Sequence, residues 1–173
     1  MTSLFSGKFS FNGDISQWDV SNVLTMEFFF VGCVHFNQDL NNWNVSNVLT
    51  MQSMFDGASV FNGNISDWNV SKVFYMNGMF RNAYIFNQFI RNWTVSNVIN
   101  MQSMFENTVS FDQNISRWDV SNVDDENLYS MFNGANAMLA RYPQLKTNTS
   151  ANTPSEEVAG IREWFNQTDV IYG

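Results

Sequence analysis

Apolar residues recur along this chain in a fixed frame of 25 positions. Trp18, Trp43, Trp68, Trp93 and Trp118 hold one column of that frame, and Phe11, Phe36, Phe61, Phe86 and Phe111 hold another. Ile15, Leu40, Ile65, Ile90 and Ile115 form a third, and Val20, Val45, Val70, Val95 and Val120 a fourth, each valine followed by serine. Columns that agree without a gap identify an internal repeat. Periods of this length mean an array in which each unit buries its apolar side against its neighbours.

Within one unit the pattern changes period. The segment from Ile15 to Val20 ends in an alternating Trp-x-Val, which predicts a very short strand with one face buried. Val23, Met26, Phe29 and Phe30 then follow at spacings of 3, 3 and 1, matched in the next unit by Val48, Met51, Met54 and Phe55. That stripe predicts a helix of about two turns. Gly32, Gly57, Asn82, Asn107 and Gly134 come two residues after the last Phe of each stripe, where a residue tolerant of left-handed backbone would end the helix. The expected fold is therefore an α/β repeat: a right-handed, leucine-rich-repeat-like solenoid with one short parallel strand and one short helix per 25-residue coil. Stacking would place Phe and Trp in ladders. Asn22, Asn47, Asn97 and Asn122, with Lys72 as the exception, would pass amide hydrogen bonds from coil to coil.

The frame divides the chain into 1–135, about five repeats, and a degenerate segment, 136–173. An acidic insertion, Asp124, Asp125 and Glu126, delays the register by two residues before Met131 and Phe132. In the C-terminal segment Thr153, Pro154 and Glu156 have capping-box spacing with Pro at the first helical position. A helix over about 154–166, with Val158, Ile161, Trp164 and Phe165 on one face, is expected to cover the last coil. At the other end Met1, Leu4 and Phe5 fall on the columns of Met26, Phe29 and Phe30, so the repeat starts in mid-coil.

Composition narrows the function. Charged residues make up 14% of 173 and the net charge is −8, with eight scattered Lys and Arg. No basic stripe exists to neutralise phosphates, so nucleic acid is not an expected partner. No apolar run reaches the length of a membrane span, and no signal peptide is legible. Candidate chemistry is sparse. The lone His35 occupies a column shared with Ser10, Val60, Ile85 and Ser110, and the lone Cys33 one shared with small residues. Neither sits in a triad or in metal-ligand spacing, and no phosphate-binding glycine loop is present. The chain reads as a non-enzyme with no cofactor.

The unit Phe-Asn-x-Asp/Asn-Ile-Ser-x-Trp-Asp/Asn-Val-Ser-Asn-Val-x-x-Met-x-x-Met-Phe-x-Gly/Asn resembles the BspA-like leucine-rich-repeat surface proteins. It looks closest to the mycoplasma-type branch with 25-residue repeats. The resemblance covers about residues 1–135. It implies display at the cell surface or secretion, with adhesion or recognition as the role, and it supplies no catalytic residues.

The expected function is a non-catalytic protein-interaction module. Its ligand face would be the outward residues of the strands, Asp19, Asn44, Asn69, Thr94 and Asp119, flanked by Gln17, Asn42, Asp67, Asn92 and Arg117. The alternative is a structural subunit of a larger assembly or an oligomer, docked through an uncapped N-terminal edge made of Leu4, Phe5, Phe9 and Phe11. An ice- or carbohydrate-binding array ranks below both, because outward rows of Thr are missing.

Overall fold

A computed structural model describes residues 2–146 and 153–167. Met1, whose column the repeat frame assigns, lies outside them. The units stack as coils, but the expected strand-and-helix architecture is overturned. Among the described residues there is no sheet. Pairing is limited to isolated parallel bridges that link Thr25 to Thr50, Thr50 to Tyr75 and Tyr75 to Asn100. The only α-helices described are α1, Asn136–Arg141, and α2, Pro154–Phe165, both in the C-terminal segment. The strand-rich coil that defines a leucine-rich repeat is therefore not what this chain builds.

The apolar stripe, whose spacing predicts a helix, is a run of tight turns. Phe29 N donates to Met26 O, Val31 N to Phe28 O and Cys33 N to Phe30 O, all i to i−3. The alternate amides leave the coil: Met26 N donates to Thr50 O, Phe28 N to Gln52 O, Phe30 N to Met54 O and Gly32 N to Asp56 O. A helix would use its amides internally and leave none for stacking. The turn run divides them, half closing turns and half binding the next coil. The spacing 3, 3, 1 suits both solutions, so periodicity did not separate them.

That division requires left-handed backbone at two columns. One is the expected column, with φ of 68° at Gly32, 73° at Gly57, 59° at Asn82, 58° at Asn107 and 70° at Gly134. The residues adopt the anticipated conformation, but as the third position of turns rather than as helix caps. The other column was not anticipated. It runs through Phe28, Ser53, Gly78, Ser103 and Ser130, with φ between 49° and 64°.

The Trp-x-Val segments keep their in-out alternation without forming strands. Trp43, Val45, Trp68 and Val70 are buried, while Asn44 and Asn69 are exposed. Turns bracket each segment, with Trp18 N donating to Ile15 O and Val23 N to Val20 O. Side chains take over the coil-to-coil bonding that a sheet would supply. Trp43 Nε1 donates to Ile15 O and Trp68 Nε1 to Leu40 O, both at 2.9 Å. Asn47, Asn97 and Asn122 donate to the carbonyls of Ser21, Ser71 and Ser96. Lys72 Nζ, the exception in that column, donates instead to Asn47 Oδ1 at 2.8 Å. The Asn of the repeat's Phe-Asn word supplies a second amide column: Asn12, Asn37 and Asn62 each accept, through Oδ1, the backbone amide 25 residues on.

The core is a set of aromatic ladders. Trp43, Trp68, Trp93 and Trp118 stack with centroids 6.2–6.5 Å apart and planes within 3–6°. Phe30, Phe55, Phe80, Phe105 and Phe132 stack at 5.3–5.8 Å, and each of the first four also faces a second Phe column at 3.9–4.1 Å. Burying each such ring stabilises the fold by about 1.5–3 kcal/mol, and aromatic pairing adds roughly 0.5–1.5 kcal/mol.

The two ends differ. At the C-terminal end the acidic insertion forms a single 3-10 turn, Asp125–Leu128. Helix α2 starts with the anticipated capping box between Thr153 and Glu156 and with Pro154 in its first turn. It lays Trp164 edge-on against Phe132, 5.6 Å between centroids. Arg162 ties it down through Asp125 Oδ1 at 2.9 Å and the Val120 and Val123 carbonyls. At the other end Phe5 stacks on Phe11 at 3.9 Å, but nothing described lies beyond them.

Candidate functional site

The outward face is built by the same words that build the core. In four of the five units the residue between Trp and Val places a side-chain oxygen on the serine two residues on. Asp19 Oδ1 accepts Ser21 N at 3.0 Å, and Asp119 Oδ1 accepts Ser121 N at 3.0 Å. Asn44 Oδ1 accepts both Ser46 N at 3.2 Å and Ser46 Oγ at 2.7 Å, and Asn69 Oδ1 accepts Ser71 N at 3.1 Å. Such local bonds fix each side chain's direction. They also hold the Asp19 and Asp119 carboxyls below the usual range, through the serine side chain first and its backbone amide second. Thr94 takes the same position without an Asx bond.

All ten positions named for this face are exposed. In the flanking column Asp67 Oδ2 accepts Asn41 Nδ2 at 2.7 Å while Asp67 N donates to Asn41 Oδ1 at 2.9 Å, so the turn of one coil is tied to the turn of the next. Gln17 Nε2 reaches only its neighbour Ser16 Oγ, at 3.2 Å. Asn42, Asn92 and Arg117 complete the column. The result is a rigid, regular array of amides, carboxylates and one guanidinium.

The N-terminal residues do come together. Leu4 is 48% exposed, Phe9 65% and Trp18 40%, against 3% for Trp43 one coil later. Leu4, Phe5, Lys8, Ser10, Phe11 and Asn12 line an open hollow of about 530 Å³. Phe5 and Phe11 are half-buried, so the edge is part core and part surface.

The residues with latent chemistry are occupied structurally. Cys33 is buried and bonds Phe5 O at 3.0 Å, and burial pushes its thiol up to about 11, which keeps it protonated and unreactive. His35 is exposed and its Nδ1 lies 2.9 Å from Phe9 O, fastening the second coil to the first. Among the described residues no cluster of His, Cys, Asp or Glu could hold a metal ion. No described helix is long and apolar enough to cross a membrane.

Two surface features escaped the sequence reading. Leu24, Leu49, Phe74 and Ile99 form an exposed apolar column beside the bridge residues, joined by Leu49 N to Leu24 O, Phe74 N to Leu49 O and Ile99 N to Phe74 O. Their shared frame position was the available signal, but their varied side chains hid it. The second is a polar groove of about 330 Å³ that crosses the turn runs and is lined by Ser53, Gly78 and Ser103 with Gln52, Asn77 and Gln102.

No curated protein and no solved structure matches the chain. A family described as Mycoplasma protein of unknown function, DUF285, matches in overlapping copies over residues 1–83, 38–145 and 61–169. Those copies together run over nearly the whole length, and the chain belongs to that family.

Proposed function

We propose that this chain is a non-catalytic recognition module that binds a protein partner through the face of Asp19, Asn44, Asn69, Thr94 and Asp119. One observation carries the reading: exposed polar side chains stand in register along the stack, and four of the five are fixed by bonds to the following serine. A pre-ordered surface loses little side-chain entropy on binding, which favours association. The repeat unit's likeness to BspA-like surface proteins supports display at a cell surface or secretion as the setting. The test places a photo-crosslinking amino acid at 44 or 69 and, as a control, at the exposed position 85. Crosslinks to a common protein from 44 and 69 but not from 85 would support the face. Crosslinks from 85 alone would move the site elsewhere.

A second reading, an assembly subunit docked through the first coil, is favoured by the exposure of Leu4, Phe9 and Trp18 around the hollow. Patches of this kind mark association surfaces. Leu4→Ser together with Phe9→Ser should convert any oligomer to monomer in light scattering. An unchanged mass would remove this reading and leave the first intact.

A further inference from the structure

The polar groove over the turn runs is not explained by the stacking of the coils. Its floor is the left-handed column, where Ser53, Gly78 and Ser103 succeed one another with φ of 49°, 64° and 55°. The preceding unit has Phe28 in that column, so the channel ends against an aromatic ring. Its wall is the column of Gln52, Asn77 and Gln102, three successive amides in register. Elsewhere the repeat engages such amides between coils: Gln38, Gln88 and Gln113 each donate to an asparagine of the unit before. Among the described residues nothing bonds to the side-chain amides of Gln52, Asn77 or Gln102, nor to the hydroxyls of Ser53 and Ser103. Three amide groups and two hydroxyls thus face one channel with their capacity unused.

The chemistry of the lining selects the occupant. An anion finds little there: the one guanidinium in the groove, Arg81, is held by Asp56 at 3.0 Å through Nε, and Asp56 is further engaged by Asn82 Nδ2 at 3.2 Å. An apolar ligand would leave the amides unpaired, which costs binding. A peptide strand needs pockets for alternate side chains, and this channel has a single apolar surface, at one end. A sugar suits all three features. Its hydroxyls both donate and accept, as amides do, and its C–H face can lie on the Phe28 ring.

We propose that this groove is a binding site for a neutral saccharide, with Gln52, Asn77 and Gln102 reading its hydroxyls and Phe28 stacking on one ring. The site is separate from the partner face of Asn44 and Asn69, so either can fail without the other. It also differs from an array of outward Thr, because its donors are amides set in a channel.

The experiment is a titration of the isotope-labelled chain with neutral tetrasaccharides built from glucose, mannose and N-acetylglucosamine, followed through side-chain amide resonances. At millimolar sugar, shifts at Gln52, Asn77 and Gln102 are expected for at least one of them. Asn77→Leu should then weaken binding about tenfold or more, the equivalent of one to two lost hydrogen bonds. Gln102→Leu, at a more exposed position, should do the same and guards against a folding defect in the first variant. Absence of shifts with every neutral sugar overturns the proposal. So do shifts confined to other residues, stronger binding of a uronate oligomer, or displacement of the sugar by an unrelated extended peptide.

Discussion

At the scale of single residues, the tryptophan column shows how much one side chain contributes through stacking. Trp68 lies between Trp43 and Trp93 and also satisfies the Leu40 carbonyl. Trp68→Ala should cost roughly 3–5 kcal/mol in urea unfolding. Trp18→Ala should cost clearly less, because Trp18 is 40% exposed and does not stack on Trp43, its one neighbour in the column. Equal losses at the two positions would mean that stacking is not what the column contributes.

Glu157 is a residue-scale anomaly of another kind. It belongs to α2 and is fully buried, and neither carboxylate oxygen has a hydrogen-bond partner. Burial pushes its carboxyl up, the Glu106 charge adds to this, and the nearby Ser130 backbone opposes it in part. A carboxyl raised by folding leaves stability fullest below the ordinary glutamate range. That contribution is lost as pH rises through the folded value. Asp14, Asp19, Asp119 and Glu156 shift the opposite way, so the difference between wild type and Glu157→Gln isolates the effect. The variant should melt higher near neutral pH, with the gap closing as pH is lowered to the acid range. Parallel melting curves across that range would show that the wild-type carboxylate is not penalised.

At the scale of elements, the turn run decides the architecture. Gly57 stands at φ 73°, and an added Cβ would lie 3.5 Å from the Gly32 backbone, so there is room but the conformation is wrong. Gly57→Ala should destabilise by about 1–2 kcal/mol from handedness alone, measurable by the same unfolding assay. Circular dichroism supplies a coarser check. With helix α1 at 6 residues and α2 at 12, the spectrum should carry far less helical signal than one helix per coil demands.

The sequence made the frame, the buried columns and one of the two left-handed columns, that of Gly32 and Gly57, legible, because each depends on residue type alone. It revealed the C-terminal helix α2 through its capping box, but not the elements of the repeat. Val23, Met26, Phe29 and Phe30 sit at the same spacing whether amides bond four residues back or alternate between a turn and the next coil. Similarly, Trp43, Asn44 and Val45 alternate like a strand, but indole and amide side chains replace the ladder that would make them one. The candidate face was legible because exposure follows that alternation. The groove was not, because its emptiness arises from what is small at 53, 78 and 103 rather than from any conspicuous residue.

At the scale of the whole molecule, the ends differ in how they are held. Helix α2 covers the last coil with Val158, Ile161 and Trp164, whereas the first coil is joined to the second on one side only. Quasi-one-dimensional stacks gain stability from each interface, so a coil with one interface opens first. Amides of residues 3–11 should therefore exchange with deuterium well before those of residues 51–61. Uniform protection along the stack would mean that the first coil is secured in another way.

The direction of the coil-to-coil bonds has a mechanical consequence. In every turn run described, the outgoing amides point to the following coil: Phe5 to Phe29, Phe30 to Met54, Phe55 to Met79, Phe80 to Met104, Phe105 to Met131. Tension applied at the N-terminus loads the few bonds of one interface at a time, as a zipper does, rather than shearing many in parallel. Pulled between its ends, the chain should yield as a ladder of small, similar force peaks. Each released coil of 25 residues would add roughly 80–90 Å of contour. A stack that lengthens in such steps under load would behave as a shock absorber for whatever it holds.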